Sequence, residues 1–178
     1  MEGVLILLIT SLLILIIVFA FIAILYKKCP PNKIIVVYGK TGRERTAKCV
    51  HGGGTFILPL IQDYTLLSLE PLTTDIDLKD TVSKDNINAD LPSNFIFGIS
   101  TDEKIMINAA ERLLGLDKND IIVIAKNIIK KELSAISKEI NSVDCSEQKR
   151  SEIYFKRINE KLNEVGLQLF DIKKKGEN

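Results

Sequence analysis

Gly39-Lys40-Thr41 has the residue types that close a phosphate-binding loop, in which backbone N–H groups and a lysine cradle phosphate oxygens. The first glycine of that loop would fall at position 34, which is Ile34, and no helix signal follows Thr41. Gly52, Gly53 and Gly54 are a second glycine-rich stretch, but they lack the spaced pattern of a dinucleotide site and lead into an apolar strand instead of a helix N-terminus. They read as a flexible backbone corner. His51 is the single histidine, with Cys49 two residues before it and no second ligand pair, so no metal is expected. Neither Gly-x-Ser-x-Gly nor His-Glu-x-x-His occurs. No catalytic residue, cofactor site or enzyme activity is expected, although carboxylate pairs assembled by a fold leave no spacing to read. The 24 Lys and Arg nearly balance the 23 Asp and Glu, so no nucleic-acid partner is expected either.

With no chemistry on view, the element that dominates the chain is residues 4–26, VLILLITSLLILIIVFAFIAILY, which carries no charge. At about 1.5 Å per residue a helix of this length crosses roughly 30 Å of hydrocarbon. Val4, Leu8, Leu12, Ile16, Phe19, Ile22 and Leu25 mark it as a membrane anchor, with membrane lipids as the expected partner. A signal-peptide core is shorter, about 7–15 residues, and ends in small residues, whereas Tyr26, Lys27 and Lys28 follow here. A buried soluble helix would show a polar face, and Thr10 and Ser11 are the only polar interruptions. Lys27, Lys28 and Lys33 against a single Glu2 predict a single-pass protein whose C-terminal part is cytoplasmic.

Domain boundaries follow: residues 1–28 as anchor, 29–175 as one domain, 176–178 as tail. Residues 29–32 read as a linker in which Pro30 and Pro31 stop the helix. Cys29, beside lysines at the membrane surface, is a possible S-acylation site, with an unmodified thiol as the alternative. Cys29, Cys49 and Cys145 have no spacing that would pair them in a disulfide framework.

Strands are expected at 33–38, 46–50, 55–58, 64–69 and 72–78, with weaker ones at 86–91 and 94–100. Pro59 ends the third or puts it on an edge, and the run 56–61 is expected to bury one face in the domain's own core, with contact to the bilayer as the alternative. After Thr101 the apolar period becomes helical. Ile105, Ala109 and Leu113 share one face, with Met106, Ala110 and Leu114 beside it, and Gly115 is a stop. Asp117 with Asp120 opens a long helix with the stripe Ile121, Ala125, Ile129, Leu133, Ile136 and Ile140, and with Lys126, Lys130 and Glu132 facing out. A third helix from about Ser146 carries Tyr154, Ile158, Leu162 and Val165 on one side, closed by Gly166, and 167–172 is a last strand. The class is α+β.

Several motifs in sequence order resemble one family. Residues 50–62, VHGGGTFILPLIQ, with Gly52, Gly53, Gly54, Phe56 and Pro59, are similar to the glycine-rich segment near the start of flotillins. Residues 108–115, NAAERLLG, with Glu111, Arg112 and Gly115, resemble their "AAERFLG" helix, and 163–170, NEVGLQLF, with Gly166, their closing strand. The resemblance implies a flotillin-like member of the stomatin/prohibitin/flotillin (SPFH, band 7) group: a curved antiparallel sheet with packed helices behind a transmembrane helix. It implies a non-enzymatic scaffold that forms a homo-oligomer and organises membrane rafts or microdomains. The alternative is an adaptor for a membrane protease or another integral membrane protein client. It departs from the family at 84–89, KDNINA, where a "dG-x-P-V" strand start is missing. The family's Ala/Glu-rich coiled coil is not found in the residues up to Asn178, so large cages are not expected of them.

Overall fold

The computed structural model of the protein describes residues 2–39, 47–76, 92–140 and 147–173, without the side chains of 138–140 and 147–148. The expected features at 40–46, 77–91, 141–146 and 174–178 lie outside the described residues, including the strand at 86–91, the divergent KDNINA segment and Cys145. Two compact units divide the chain, Met1–Leu66 and Leu67–Asn178.

In the first unit, α1 (Glu2–Leu25) is apolar all round and none of its residues is buried. The Thr10 hydroxyl donates to the Leu7 carbonyl at 3.0 Å, so its one hydrogen is used inside the helix and needs no water. The sequence predicts a helix running to Tyr26 and then a linker. Instead the chain turns at once into a strand, β1 (Tyr26–Lys28), because β4 (Gly54–Phe56) offers it a partner. Tyr26 faces Phe56, Lys27 faces Thr55 and Lys28 faces Gly54 in an antiparallel pair. β2 (Lys33–Gly39) pairs antiparallel with β3 (Ala47–His51), Ile34 opposite His51 and Tyr38 opposite Ala47. β5 (Gln62–Ser68) completes a sheet ordered β3-β2-β5. Ile34 to Val37 are all buried, which suits a β-branched run in the centre of a sheet. Ile35 and Val37 form a small core with Cys29 and Ile57, and Val50 packs against it.

The second unit is a three-stranded antiparallel sheet ordered β6-β7-β8, from β6 (Leu72–Asp75), β7 (Asn94–Ile99) and β8 (Leu167–Lys173), with α2 (Glu103–Arg112), α3 (Lys118–Ile140) and α4 (Glu147–Asn163). β7, expected to be weak, is the central strand, and Phe95 and Phe97 are its fully buried residues. The register of β8 slips between Ile96 and Phe97: Ile96 faces Asp171 while Phe97 faces Leu169, leaving Phe170 as the extra residue of a bulge. That slip turns the Phe170 ring over Gly98, where it lies 2.8 Å from the position a β-carbon would take.

Caps fix the helix starts. The Asp102 carboxylate accepts from the backbone N–H of Lys104 and Ile105, which satisfies donors that the first turn of α2 leaves open. Asp117 accepts from Asp120 N at 2.8 Å while Asp120 accepts from Asp117 N, a reciprocal cap that starts α3 where the spacing predicts. The α3 residues Ile121, Ala125, Ile129, Leu133 and Ile136 are buried as expected. Glu132 departs from the expectation that it faces out, being only 9 % exposed. It stands one turn from both Ile129 and Ile136, and α3 is covered by both α4 and β6, so the buried stripe is wider than one row.

Candidate membrane-anchoring site

α1 supplies a cylinder of apolar side chains long enough to cross a membrane. Val4, Leu8, Leu12, Ile16, Phe19 and Ile22 are exposed over roughly half or more of their surface, and Leu25 is half-buried where the helix meets β1. Among the described residues none shields this surface, and in water such an area would be strongly unfavourable. A bilayer removes that cost.

The exit from the helix is held rigidly. The Ile57 N–H donates to the Leu25 carbonyl at 3.0 Å, which satisfies one of the acceptors a helix C-terminus leaves open. The Tyr26 and Phe56 rings pack with centroids 5.2 Å apart, tilted by 58°. Lys27 places its ammonium 6.0 Å from the centre of the Tyr64 ring.

The glycine corner makes this arrangement possible. Gly52 and Gly53 take φ of 73° and 66°, the left-handed region that side chains avoid, and the Gly53 carbonyl accepts from Cys29 N at 2.9 Å. Gly54 has an ordinary φ, yet a β-carbon there would stand 2.7 Å from the Lys27 carbonyl oxygen and 2.6 Å from the Tyr26 hydroxyl. Three glycines that read as a loose corner thus include one required for close approach. Phe56 ends β4 and is exposed, and Pro59 sits exposed in the turn that follows.

Cys29 is 8 % exposed, and its Sγ donates toward the carbonyls of Lys33 at 3.1 Å and Val50 at 3.4 Å. The sulfur faces the small core of the first unit, so acylation would require that core to open. Cys49 and His51 lie on β3 opposite Val36 and Ile34, and no group of three or more His, Cys, Asp or Glu capable of holding a metal occurs among the described residues.

The remaining motif residues fall in the second unit. Glu111 and Arg112 are exposed at the end of α2, and Gly115 follows with φ 85°. Gly166 has φ 90° and lies against the α2 backbone at Ala109. Nearby, Asn108 Nδ2 donates to the Asn163 carbonyl at 3.1 Å, and Asn159 Oδ1 accepts from Leu169 N at 2.9 Å, so side chains tie α2 to the end of α4 and α4 to β8. Sequence reading misses these contacts because asparagine carries no periodic signal. Lys161 and Glu164 form an exposed pair at 2.7 Å. Hydrogen bonding to Glu164 raises the Lys161 pKa, and the same bond lowers that of Glu164. Burial raises the Tyr154 pKa, partly offset by Arg150.

The profile of the SPFH domain / Band 7 family matches residues 27–173. The chain belongs to this family. The match begins within β1, directly after the anchor helix, and ends at the last residue of β8, so the SPFH/Band 7 region takes in the strands of the first unit and the strands and helices of the second. Membership points to a membrane-associated role of the scaffold type, and the α+β architecture behind an N-terminal apolar helix agrees with it. No individually curated protein matches the chain closely enough to count as a relative.

Proposed function

We propose that the protein is a membrane-anchored, flotillin-like scaffold that self-associates and organises membrane microdomains. The observation that carries this reading is the direct junction between a 24-residue apolar helix and an SPFH/Band 7 region that starts at residue 27. A domain joined to its anchor without a linker works at the bilayer surface. Lys27, Lys28 and Lys33 follow the span, so that surface is the cytoplasmic one. Lipids and further copies of the chain are the partners, and function lies in assembly and not in turnover.

The test is extraction of the full chain in mild detergent, followed by mass determination of the particle. Oligomers support the scaffold. A monomer bound in fixed ratio to one integral membrane protein would replace it with an adaptor of that protein.

A further inference from the structure

Thr10 and Ser11 are the two hydroxyl residues of the span, and the structure treats them differently. The Thr10 hydroxyl donates to the Leu7 carbonyl at 3.0 Å. A helical serine can likewise turn back to the carbonyls three or four residues before it, here those of Leu8 and Leu7. The Leu7 carbonyl, however, already takes the Thr10 hydroxyl besides the Ser11 N–H that the helix sends to it. Among the described residues the Ser11 hydroxyl has no hydrogen-bond partner, and its side chain is exposed.

Water does not reach it in a bilayer. Ser11 stands nine residues from Glu2 and fourteen from Leu25, about 14 Å and 21 Å at about 1.5 Å per residue. That is well inside the hydrocarbon from either end, and the side chain is too short to reach the headgroups. A hydroxyl left unpaired there is costly, and a partner across a helix–helix contact removes the cost.

The face around Ser11 suits such a contact. Val4 and Val18 lie seven residues to either side and share that face, drifting by only about 20° per step. These three side chains are shorter than the Leu, Ile and Phe that fill most of α1, so a second backbone comes closest along this line. A seven-residue spacing fits a left-handed crossing of about 20°. The next position in the series, Leu25, is half-buried where the helix meets β1, so the free face runs from Val4 to Val18.

The chemistry of the orphan group says what covers it. Every copy carries the same flank of Lys27, Lys28 and Lys33 and so inserts the same way round. Two copies side by side therefore hold Ser11 at one depth, and a hydroxyl both donates and accepts. Each satisfies the other, whereas an unrelated helix would need a polar group at this one level. We infer that α1 pairs in parallel with α1 of a second copy along Val4, Ser11 and Val18, the two Ser11 hydroxyls hydrogen-bonded inside the bilayer. The inference rests on the self-association proposed above and names a surface for it within the span.

The test is a cysteine scan of the full chain in a Cys29→Ala, Cys49→Ala, Cys145→Ala background. The protein is reconstituted at low protein-to-lipid ratio in phosphatidylcholine/phosphatidylglycerol vesicles and oxidised with copper-phenanthroline. Val4→Cys, Ser11→Cys and Val18→Cys lie on the pairing face, while Ile6→Cys, Leu13→Cys and Ala20→Cys lie opposite at matching depths. Disulfide dimers should form several-fold faster in the first set. Ser11→Ala, which removes the oxygen and little else, should slow crosslinking of Val18→Cys about threefold, while Thr10→Val leaves it unchanged. Equal rates around the helix would overturn the pairing, and so would an unaltered rate in the Ser11→Ala variant. Capture of a different integral protein at Ser11→Cys in cell membranes, in place of a second copy, would overturn it as well. Lysine-reactive crosslinking of the same vesicles separates this failure from that of the scaffold reading. Oligomers trapped through the soluble part, with no preferred face on α1, remove only the α1 contact; monomers by both methods remove the self-association itself.

Discussion

Gly166 lies against Ala109 so closely that a β-carbon at Gly166 would overlap the Ala109 backbone nitrogen and α-carbon. Ala109 is fully buried in the middle of α2, and Gly166 is the turn residue between α4 and β8. The contact joins two of the sequence motifs, 108–115 and 163–170, which explains why small residues stand at both places.

Gly166→Ala should therefore be costly. A positive φ of 90° makes any side chain strained, and here the α2 backbone also has to move. The expected loss is about 3 kcal/mol or more, against about 1–2 kcal/mol for Gly115→Ala, where φ is 85° but nothing lies within 4 Å. Denaturant unfolding of the two variants in the same detergent measures the difference, and equal losses would show that the Ala109 contact is soft.

Gly54→Ala should unzip the exit strand. The Tyr26 ring can swing aside, but the Lys27 carbonyl is backbone and cannot. Faster tryptic cleavage after Lys27 and Lys28, with the second unit still resistant, is the expected outcome.

Cys29 should be slow to react. In a Cys145→Ala background, maleimide should label half-buried Cys49 well before Cys29, whose sulfur is enclosed with Ile35, Val37 and Ile57. Cys29→Ser places a more polar hydroxyl in that core and should cost about 1–2 kcal/mol. Rapid labelling of Cys29, or an acyl group found on it, would mean that the core opens at the membrane surface.

The Lys161–Glu164 pair gives a pH dependence of definite sign. The Glu164 pKa is lowered by the hydrogen bond, so its contribution is present above the unfolded value of about 4.3 and is lost as pH falls through the lower folded value. Lys161 is raised, so its contribution is present below about 10.4 and is lost as pH rises through the higher folded value. Glu164→Gln should lower the melting temperature slightly at pH 7. Because the pair is exposed, the difference should shrink in molar salt as well as in acid.

Much of this fold is legible in the sequence because local rules decide it. The β-branched run at 33–38, the capping Asp117, and the stripe from Ile121 to Ile136 each carry their own signal. What escapes is settled by distant partners. Tyr26-Lys27-Lys28 reads as a charged flank of the span, and only the antiparallel partner at Gly54–Phe56 makes it a strand. Glu132 reads as a solvent residue because periodicity does not reveal how many elements cover a helix. The 56–61 run reads as core, yet Phe56, Leu58, Leu60 and Ile61 are exposed, because apolar types alone do not tell interior from surface. Likewise Phe170 leaves the core through a register slip that no pattern marks.

The removable anchor is best defined by the structure at Leu25 and not at Lys28, since Tyr26, Lys27 and Lys28 belong to the sheet. Alkaline carbonate extraction of cell membranes, with intact-mass analysis of the recovered protein, tests the anchoring most directly. The full chain should pellet with the membrane and retain residues 2–25, while a chain starting at Tyr26 should be released in a folded state. Recovery of the full chain in the supernatant, or of a mature protein from which α1 has been cleaved, would contradict the account.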